Sequence, residues 1–235
     1  MYLSTQPYIN EVEYHIVRGL CHRWKEARYP TTFTPPLAEL FGYITQCGTL
    51  TEKTVEINFA DCNLYPLMPK RIHFIFKQEW NHEGLRLNNR GHPRICGKKD
   101  VGFVCAVFRD KKNFAAGHEL IPSFVFESYN QYPSTGEQII FSYLKGVLGP
   151  CPKFWQVLDK HGKNPQTIIR LFFRSPQLYE DVTMLLRYIL ELPFTSEYGT
   201  LTFTPTQLEL LKSKLDLTDD SWWKNESWWS EVQGK

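Results

Sequence analysis

The stretch that decides the fold is "IPSFVFESYNQYPSTGEQII", residues 121–140. Its first half alternates apolar or aromatic residues with polar ones, a pattern that is typical of a β-strand. An acid, Glu127, stands at the end of this run, where a buried strand is expected to stay apolar. A helix start follows, because Ser134 and Glu137 have the spacing of a capping box. The stretch therefore predicts a strand that ends in a carboxylate and leads into a helix.

The composition is that of a globular chain. The sequence has 235 residues, of which 42% are hydrophobic and 22% are charged, so we expect a packed domain and not a disordered segment. No apolar run approaches the roughly 18 residues of a membrane helix, and the first residues lack the pattern of a signal peptide. We therefore expect a cytoplasmic protein with no membrane partner. The six cysteines form no CxxC pair, and in a reducing compartment they are expected to be free thiols that are mostly buried: Cys21, Cys47, Cys62, Cys96, Cys105 and Cys151.

Positive charge is concentrated in one segment. Residues 70–112 contain eleven basic and four acidic residues, whereas the rest of the chain contains sixteen basic and twenty-one acidic residues. One interpretation is an electrostatic surface for a polyanion. The other is a set of solvated side chains that point in several directions. Under the first interpretation, the residues expected to hold a nucleic-acid backbone are Lys70, Arg71, Arg94, Lys98, Lys99, Lys111 and Lys112.

Strand and helix signals intermingle along the chain. Helices are predicted at residues 7–28, 34–48, 133–147, 175–190 and 204–215. Strands are predicted at 53–60, 71–78, 85–87, 100–108 and 123–129, with a loop at 61–70 and a hairpin formed by 154–160 and 166–173. This order predicts an α/β (α+β) fold in which helices flank a mixed central sheet. We expect an N-terminal helical and strand region (1–60), a core (61–215) and an acidic tail (216–235) with two tryptophan pairs.

Two carboxylates stand near the ends of predicted strands. Asp100 opens one strand, and Glu127 lies near the end of the next. If these strands are neighbours and the carboxylates meet, their mutual repulsion favours a bound divalent cation. Mg²⁺ prefers such oxygen ligands, and it can activate water for attack on a phosphodiester. The simpler interpretation is that Glu127 is a solvated edge residue and Asp100 a turn residue.

Other catalytic and metal-binding patterns are weak. Zinc has candidate ligands, but their spacing fits no common template: His82, His92, Cys96, Cys105 and His118. The sequence contains no G-x-S-x-G elbow, no P-loop and no G-x-G-x-x-G motif.

Residues 100–159 resemble the Uma-two-like restriction endonuclease family of the PD-(D/E)XK nuclease superfamily. The resemblance is carried by a series of segments in the order of the family, over about a quarter of the chain. These segments are "KKDVGFV", "IPSFVFESYNQYPS", "GEQIIFSYLKGV", "PKFWQVLD" and "TIIRLFF". The resemblance implies a restriction-endonuclease-like fold and a metal-dependent nuclease activity.

The resemblance also implies roles for particular residues. Asp100 and Glu127 fall on the family's metal-binding acids, for Mg²⁺ or Mn²⁺, and the backbone carbonyl of Ser128 is an additional ligand. Gln138 falls near the family's catalytic lysine and carries no charge, which is a departure from the pattern. Lys99 replaces the proline that precedes the family's metal-binding acid. The family's first-helix acid has three candidates that the sequence does not separate: Glu11, Glu13 and Glu39.

Three functional classes follow. The leading expectation is a metal-dependent DNA endonuclease with Asp100, Glu127 and Gln138 as its catalytic residues. The second is a catalytically inactive nuclease-fold protein that binds nucleic acid or a protein partner, for which the tryptophan tail is a candidate surface. The third is an interaction protein with no role on nucleic acid. A homodimer is compatible with each class.

Overall fold

A computed structural model describes residues 33–51, 54–58, 67–80, 85–108, 122–131, 133–150, 153–158, 166–197 and 199–215. The helices among them are α1 (Pro35–Cys47), α2 (Leu67–Trp80), α3 (Lys98–Val107), α4 (Ser123–Gln131), α5 (Pro133–Leu148), α6 (Pro176–Tyr188) and α7 (Pro205–Lys214). The strands are β1 (Gly48–Leu50), β2 (Thr54–Ile57), β3 (Leu85–Leu87), β4 (Pro93–Cys96), β5 (Lys153–Leu158), β6 (Gln166–Phe172), β7 (Thr195–Glu197) and β8 (Thr200–Phe203).

The predicted fold class is confirmed, since helices and strands are mixed along the chain. The described strands lie in two small sheets and not in one central sheet. Their orders are β1-β2-β4-β3 and β5-β6-β8-β7, and every pairing is antiparallel. Short connections join β1 to β2, β3 to β4 and β7 to β8, and these pairs are antiparallel because parallel neighbours need a longer crossover.

The first sheet has one apolar and one polar face. The strand register aligns four buried or half-buried apolar residues on one face: Leu85, Ile95, Val55 and Leu50. On the other face it aligns four polar residues, two of them exposed: Arg86, Arg94, Glu56 and Thr49. Such alternation is expected where one face of an antiparallel sheet packs on the core and the other meets water.

Helix α1 lies at the centre of the fold. Ten successive residues, Leu37–Gln46, are buried, so neighbouring elements surround this helix. Its closest neighbour is α5, because a Cβ atom added at Gly42 would lie 2.2 Å from the carbonyl oxygen of Tyr143. A Cβ atom added at Gly146 would lie 2.0 Å from the carbonyl oxygen of Glu39. Glycine on both helices therefore permits backbone contact at the crossing.

The second sheet joins α1 through hydrogen bonds at the end of β6. The amide Nε2 of Gln46 donates to the carbonyl oxygen of Phe172 over 3.4 Å. The guanidinium of Arg174 donates to the carbonyl oxygen of Gly48, which directly follows α1. A cation at a helix C-terminus is stabilised by the helix dipole, which favours this position of Arg174. The two hydrogen bonds connect the second sheet to the end of α1.

One face of the second sheet belongs to the core. The register places buried residues of β6 beside buried residues of β8, as in Ile169 with Phe203 and Leu171 with Leu201. Helices α6 and α7 follow β6 and β8. They bury apolar side chains of their own: Leu178, Val182, Leu185, Leu186, Leu208 and Leu211.

Helix and hairpin predictions with clear local signals are confirmed. The side chains of Thr34, Ser175 and Thr204 accept hydrogen bonds from the first turns of α1, α6 and α7. The predicted hairpin of β5 and β6 and the short strand β3 are present. The predicted helix at 133–147 is present as α5, although it begins at Pro133, so Ser134 lies inside the helix and does not cap it.

The strand predicted at 71–78 is wrong, because these residues lie within α2. Alternation would place Ile72, Phe74 and Phe76 on one buried face. In α2 the buried residues are Ile72, Ile75 and Phe76, which have helical spacing, and Phe74 is 51% exposed. The loop predicted at 61–70 likewise gives way to helix at Leu67.

The strands predicted at 100–108 and 123–129 are also wrong, because they are α3 and α4. In α3 the buried residues include Val101, Val104 and Val107, spaced three apart, as one face of a helix requires. In α4 the buried pair Val125 and Ser128 has the same spacing. Short apolar runs do not separate strand from helix by periodicity alone, and tertiary packing decides between them.

The predicted helix at 7–28 and the predicted tail at 216–235 lie outside the described residues, as does most of the region 1–60. None of the described helices combines the length and the hydrophobicity that crossing a bilayer requires.

Candidate nucleic-acid interface

Asp100 lies in the first turn of α3 and is 2% exposed. Its Oδ2 atom lies 3.2 Å from the position that a Cβ atom at Gly97 would occupy, just before the helix. A carboxylate in the first turn interacts favourably with the positive end of the helix dipole. The local structure therefore gives Asp100 a stabilising role at the start of α3.

The other residues predicted for catalysis lie on α4 and α5. Glu127 is half-buried within α4. The carbonyl oxygen of Ser128 lies 2.4 Å from the position of a Cβ atom at Gly136 in α5, so this carbonyl is covered by a neighbouring helix. Gln138 is exposed on α5. The carboxylates of Asp100 and Glu127 are therefore not carried by neighbouring strands, and the geometry on which the metal site was predicted is wrong.

Clusters of metal-ligating side chains were the second test of the predicted metal site. No three or more His, Cys, Asp and Glu side chains within the described ranges converge in a metal-binding arrangement. Of the zinc candidates, His92 and Cys96 flank or belong to β4, and the Sγ atom of Cys96 lies 3.7 Å from the carbonyl oxygen of Arg94. His82, His118 and the side chain of Cys105 lie outside the described part.

Two of the predicted backbone-binding residues pair with carboxylates. Arg71 donates from Nε to Glu39 Oε1 over 3.1 Å and from Nη2 to Glu39 Oε2 over 2.7 Å. Arg94 pairs with Glu56 across β4 and β2. The side chains of Lys98 and Lys99, and all of Lys111 and Lys112, lie outside the description. Lys70, the last of the seven residues predicted to hold a nucleic-acid backbone, is exposed on α2.

Further basic side chains are exposed on the same part of the chain. Lys77 lies on α2, Arg86 on β3 and Arg90 in the turn between β3 and β4. Within the described residues 67–80 and 85–97 the acidic residue is Glu79, whose Oε2 accepts a hydrogen bond from the hydroxyl of Thr34 over 2.5 Å. The exposed charge of these ranges is therefore positive.

The exposed face of α2 combines charge with an aromatic ring. We call the residues of this face the α2 stripe, and all four are exposed: Lys70, His73, Phe74 and Lys77. Their spacing of three, four and seven positions places them on one side of the helix, opposite the buried Ile72, Ile75 and Phe76. The stripe thus presents a solvent-exposed aromatic ring between two ammonium groups.

Helix α2 is attached to α1 at two points. Arg71 pairs with Glu39, and two turns later Glu79 accepts the hydroxyl of Thr34. The earlier residue of α2, Arg71, pairs with Glu39, and the later residue, Glu79, pairs with Thr34 before α1. The two helices therefore run antiparallel. These bonds fix the rotation of α2 and hold the α2 stripe toward solvent.

The Glu39–Arg71 pair also perturbs its neighbours. The hydroxyl of Tyr43 donates to Glu39 Oε1 over 2.8 Å. Burial, and next the negative charge of Glu39, raise the pKa of Tyr43 well above its ordinary value. The hydrogen bonds to Glu39 raise the pKa of Arg71, against the opposing effect of burial. Arg71 thus stays charged as the counterion of a carboxylate that is 2% exposed.

No family model matches this chain, and no curated protein matches it. Sequence reasoning identified the basic segment but missed Phe74, because a strand would have buried this ring. The helical spacing of Ile72, Ile75 and Phe76 is the signal that identifies Phe74 as exposed.

Proposed function

We propose that this chain binds nucleic acid through the α2 stripe. The observation that carries the proposal is the exposure of Lys70, His73, Phe74 and Lys77 on one face of a helix whose sole acid bonds to Thr34. Lysine side chains of this kind neutralise phosphates and release counterions, which supplies most of the free energy of nonspecific binding. The exposed Arg86 and Arg90 add positive charge on the β3–β4 hairpin.

The ion pairs among the described residues of this region favour binding by Lys70 and Lys77. Arg71 and Arg94 are engaged by Glu39 and Glu56, so their charges are compensated inside the protein. Lys70 and Lys77 have no carboxylate partner among the described residues. A phosphate that approaches α2 therefore meets two ammonium groups that no carboxylate of the described ranges engages.

The proposal is tested by the salt dependence of binding. The dissociation constant for a labelled oligonucleotide is measured by fluorescence anisotropy over a salt series, for the natural chain and for Lys70→Gln/Lys77→Gln. We expect the double variant to bind more weakly, with a salt slope that is smaller by about 0.7 to 0.9 per lysine. Lys212→Gln on α7 is the matched control, because Lys212 pairs with Glu209 over 2.8 Å.

Two outcomes contradict the proposal. The first is an equal salt slope for the natural chain and the double variant while circular dichroism shows both to be folded. The second is binding to vesicles of anionic phospholipid with no binding to any oligonucleotide, since that would assign the same lysines to a membrane surface.

Hydrolysis of DNA with Mg²⁺ or Mn²⁺ stays a prediction and is not part of this proposal. It is examined by incubating the natural chain and Glu127→Gln with plasmid and single-stranded DNA, in the presence of either metal or of EDTA. Cleavage that requires both metal and Glu127 would establish the nuclease, whereas intact substrate with salt-sensitive binding would leave the binding protein.

A further inference from the structure

We infer that the α2 stripe selects single-stranded nucleic acid, with a base stacked on the ring of Phe74. The inference rests on the proposed function and adds the class of substrate. Phe74 is 51% exposed to solvent, whereas the next two residues of α2, Ile75 and Phe76, are 0% and 1% exposed. The ring is thus held outside the core by a helix that buries Phe76 two residues later.

The positions of the charges suit a strand that crosses the ring. Lys70 and Lys77 are seven residues apart, which is roughly 10 Å along the helix axis, and Phe74 lies between them on the same face. Each ammonium can contact a phosphate while the intervening nucleotide turns its base toward the ring. This combination of a cationic track and an aromatic platform is how sequence-tolerant proteins hold single strands.

A duplex cannot use the same ring. Its base faces are already covered by neighbouring bases, so contact with Phe74 would require a base to be unstacked at a cost of a few kcal/mol. The two lysines would still attract the duplex backbone. The arrangement therefore predicts that the charge acts on both forms of nucleic acid and that the ring acts on single strands alone.

The attachment of α2 limits the cost of binding. Arg71 and Glu79 already fix the helix against α1 through Glu39 and Thr34. A ring on a fixed helix loses little conformational freedom when a base stacks on it, because the surface is organised in advance. Phe74 is accordingly better placed for stacking than an aromatic residue of an unattached segment.

The experiment compares Phe74→Leu with the natural chain on a single-stranded oligonucleotide and on the duplex of the same sequence. DNA and RNA strands are both used. Leucine keeps an apolar side chain on the helix and removes the aromatic face. We expect the single-strand dissociation constant to rise about 5- to 140-fold and the duplex constant to stay unchanged. Tyr188→Leu is the matched control, since Tyr188 is 77% exposed on α6 and is expected to change neither constant.

The outcomes separate this inference from the proposed function. Unchanged single-strand binding by Phe74→Leu, together with weaker binding by Lys70→Gln/Lys77→Gln, overturns the inference and leaves the proposed function in place. Unchanged binding by both variants overturns both. A duplex constant that rises as much as the single-strand constant also overturns the inference, because the ring would then act without stacking on an open base.

Discussion

Tyr43 donates a hydrogen bond to Glu39, one turn earlier in α1, over 2.8 Å, and both side chains are buried. A second buried tyrosine, Tyr143 on α5, donates to the hydroxyl of Thr45 over 3.0 Å. Burial raises the pKa of both phenols above their ordinary value, and the charge of Glu39 raises the pKa of Tyr43 further. In the folded chain both hydroxyls therefore keep their protons at pH values where exposed tyrosines ionise.

The stability of the fold should consequently fall at alkaline pH. Above pH 10, the ordinary pKa of tyrosine, the unfolded chain releases these protons and the folded chain keeps them. The unfolded state then binds fewer protons, so the free energy of unfolding decreases by about 1.4 kcal/mol per pH unit for each tyrosine. Urea unfolding of the natural chain and of Tyr43→Phe at neutral and alkaline pH measures this. Tyr43→Phe should lose stability less steeply, and equal slopes would contradict the assignment.

Gly42 and Gly146 should tolerate no larger residue. A Cβ atom at either position meets backbone of the facing helix at 2.2 or 2.0 Å, and backbone cannot rotate away, so α1 and α5 must separate. We expect Gly42→Ala to lower the free energy of unfolding by about 1 to 3 kcal/mol or more. Gly102→Ala in α3 is the control, because nothing lies within 4 Å of its added Cβ. This control should gain about 0.5 to 1 kcal/mol from the better helix propensity of alanine, and a similar loss in both variants would contradict the close crossing.

The sequence predicts best those elements whose signals are local. Ser175 and Thr204 mark the starts of α6 and α7 because a cap depends on a few adjacent residues. The segments at 71–78, 100–108 and 123–129 carry apolar residues that satisfy a period of two and a period of three or four together. Which period is used depends on the elements that each segment packs against. These are α1 and β4 for α2, strands β2 and β4 for α3, and α5 for α4, and a short window of sequence contains none of these contacts.

For the candidate interface too, local sequence predicts one part of the structure and tertiary contacts determine the rest. The positive charge of residues 70–112 is visible in the composition, but the pairing of Arg71 with Glu39 joins positions 32 residues apart. The exposure of Phe74 depends on the helical state of α2. Sequence reasoning could therefore predict a basic surface, whereas the residues that remain available on it follow from tertiary contacts.

Arg86 should weaken the first sheet. It lies directly opposite Arg94 in the pairing of β3 and β4, and like charges in facing positions are destabilising. Glu56 compensates Arg94 on its other side. We expect Arg86→Thr to raise the free energy of unfolding by about 0.2 to 1 kcal/mol, with a smaller gain at high salt because salt screens exposed charges. Thermal unfolding at low and high salt measures the gain, and Arg90→Thr in the turn is the control. A gain that does not depend on salt would indicate strand propensity in place of repulsion.

Substitution of Asp100 distinguishes a carboxylate that stabilises the start of α3 from one that binds a metal. Its carboxylate lies in the first turn of α3 beside Gly97, where loss of the charge costs about 0.3 to 2 kcal/mol through the helix dipole. We expect Asp100→Asn to lower the free energy of unfolding by that amount equally in EDTA and in Mg²⁺, since the dipole needs no ion. A metal site would instead stabilise the natural chain by mass action, and both Asp100→Asn and Glu127→Gln would abolish that gain. Chemical unfolding of the three proteins in each buffer makes the comparison, and a stabilisation by Mg²⁺ that both variants lose would restore the metal site predicted from the sequence.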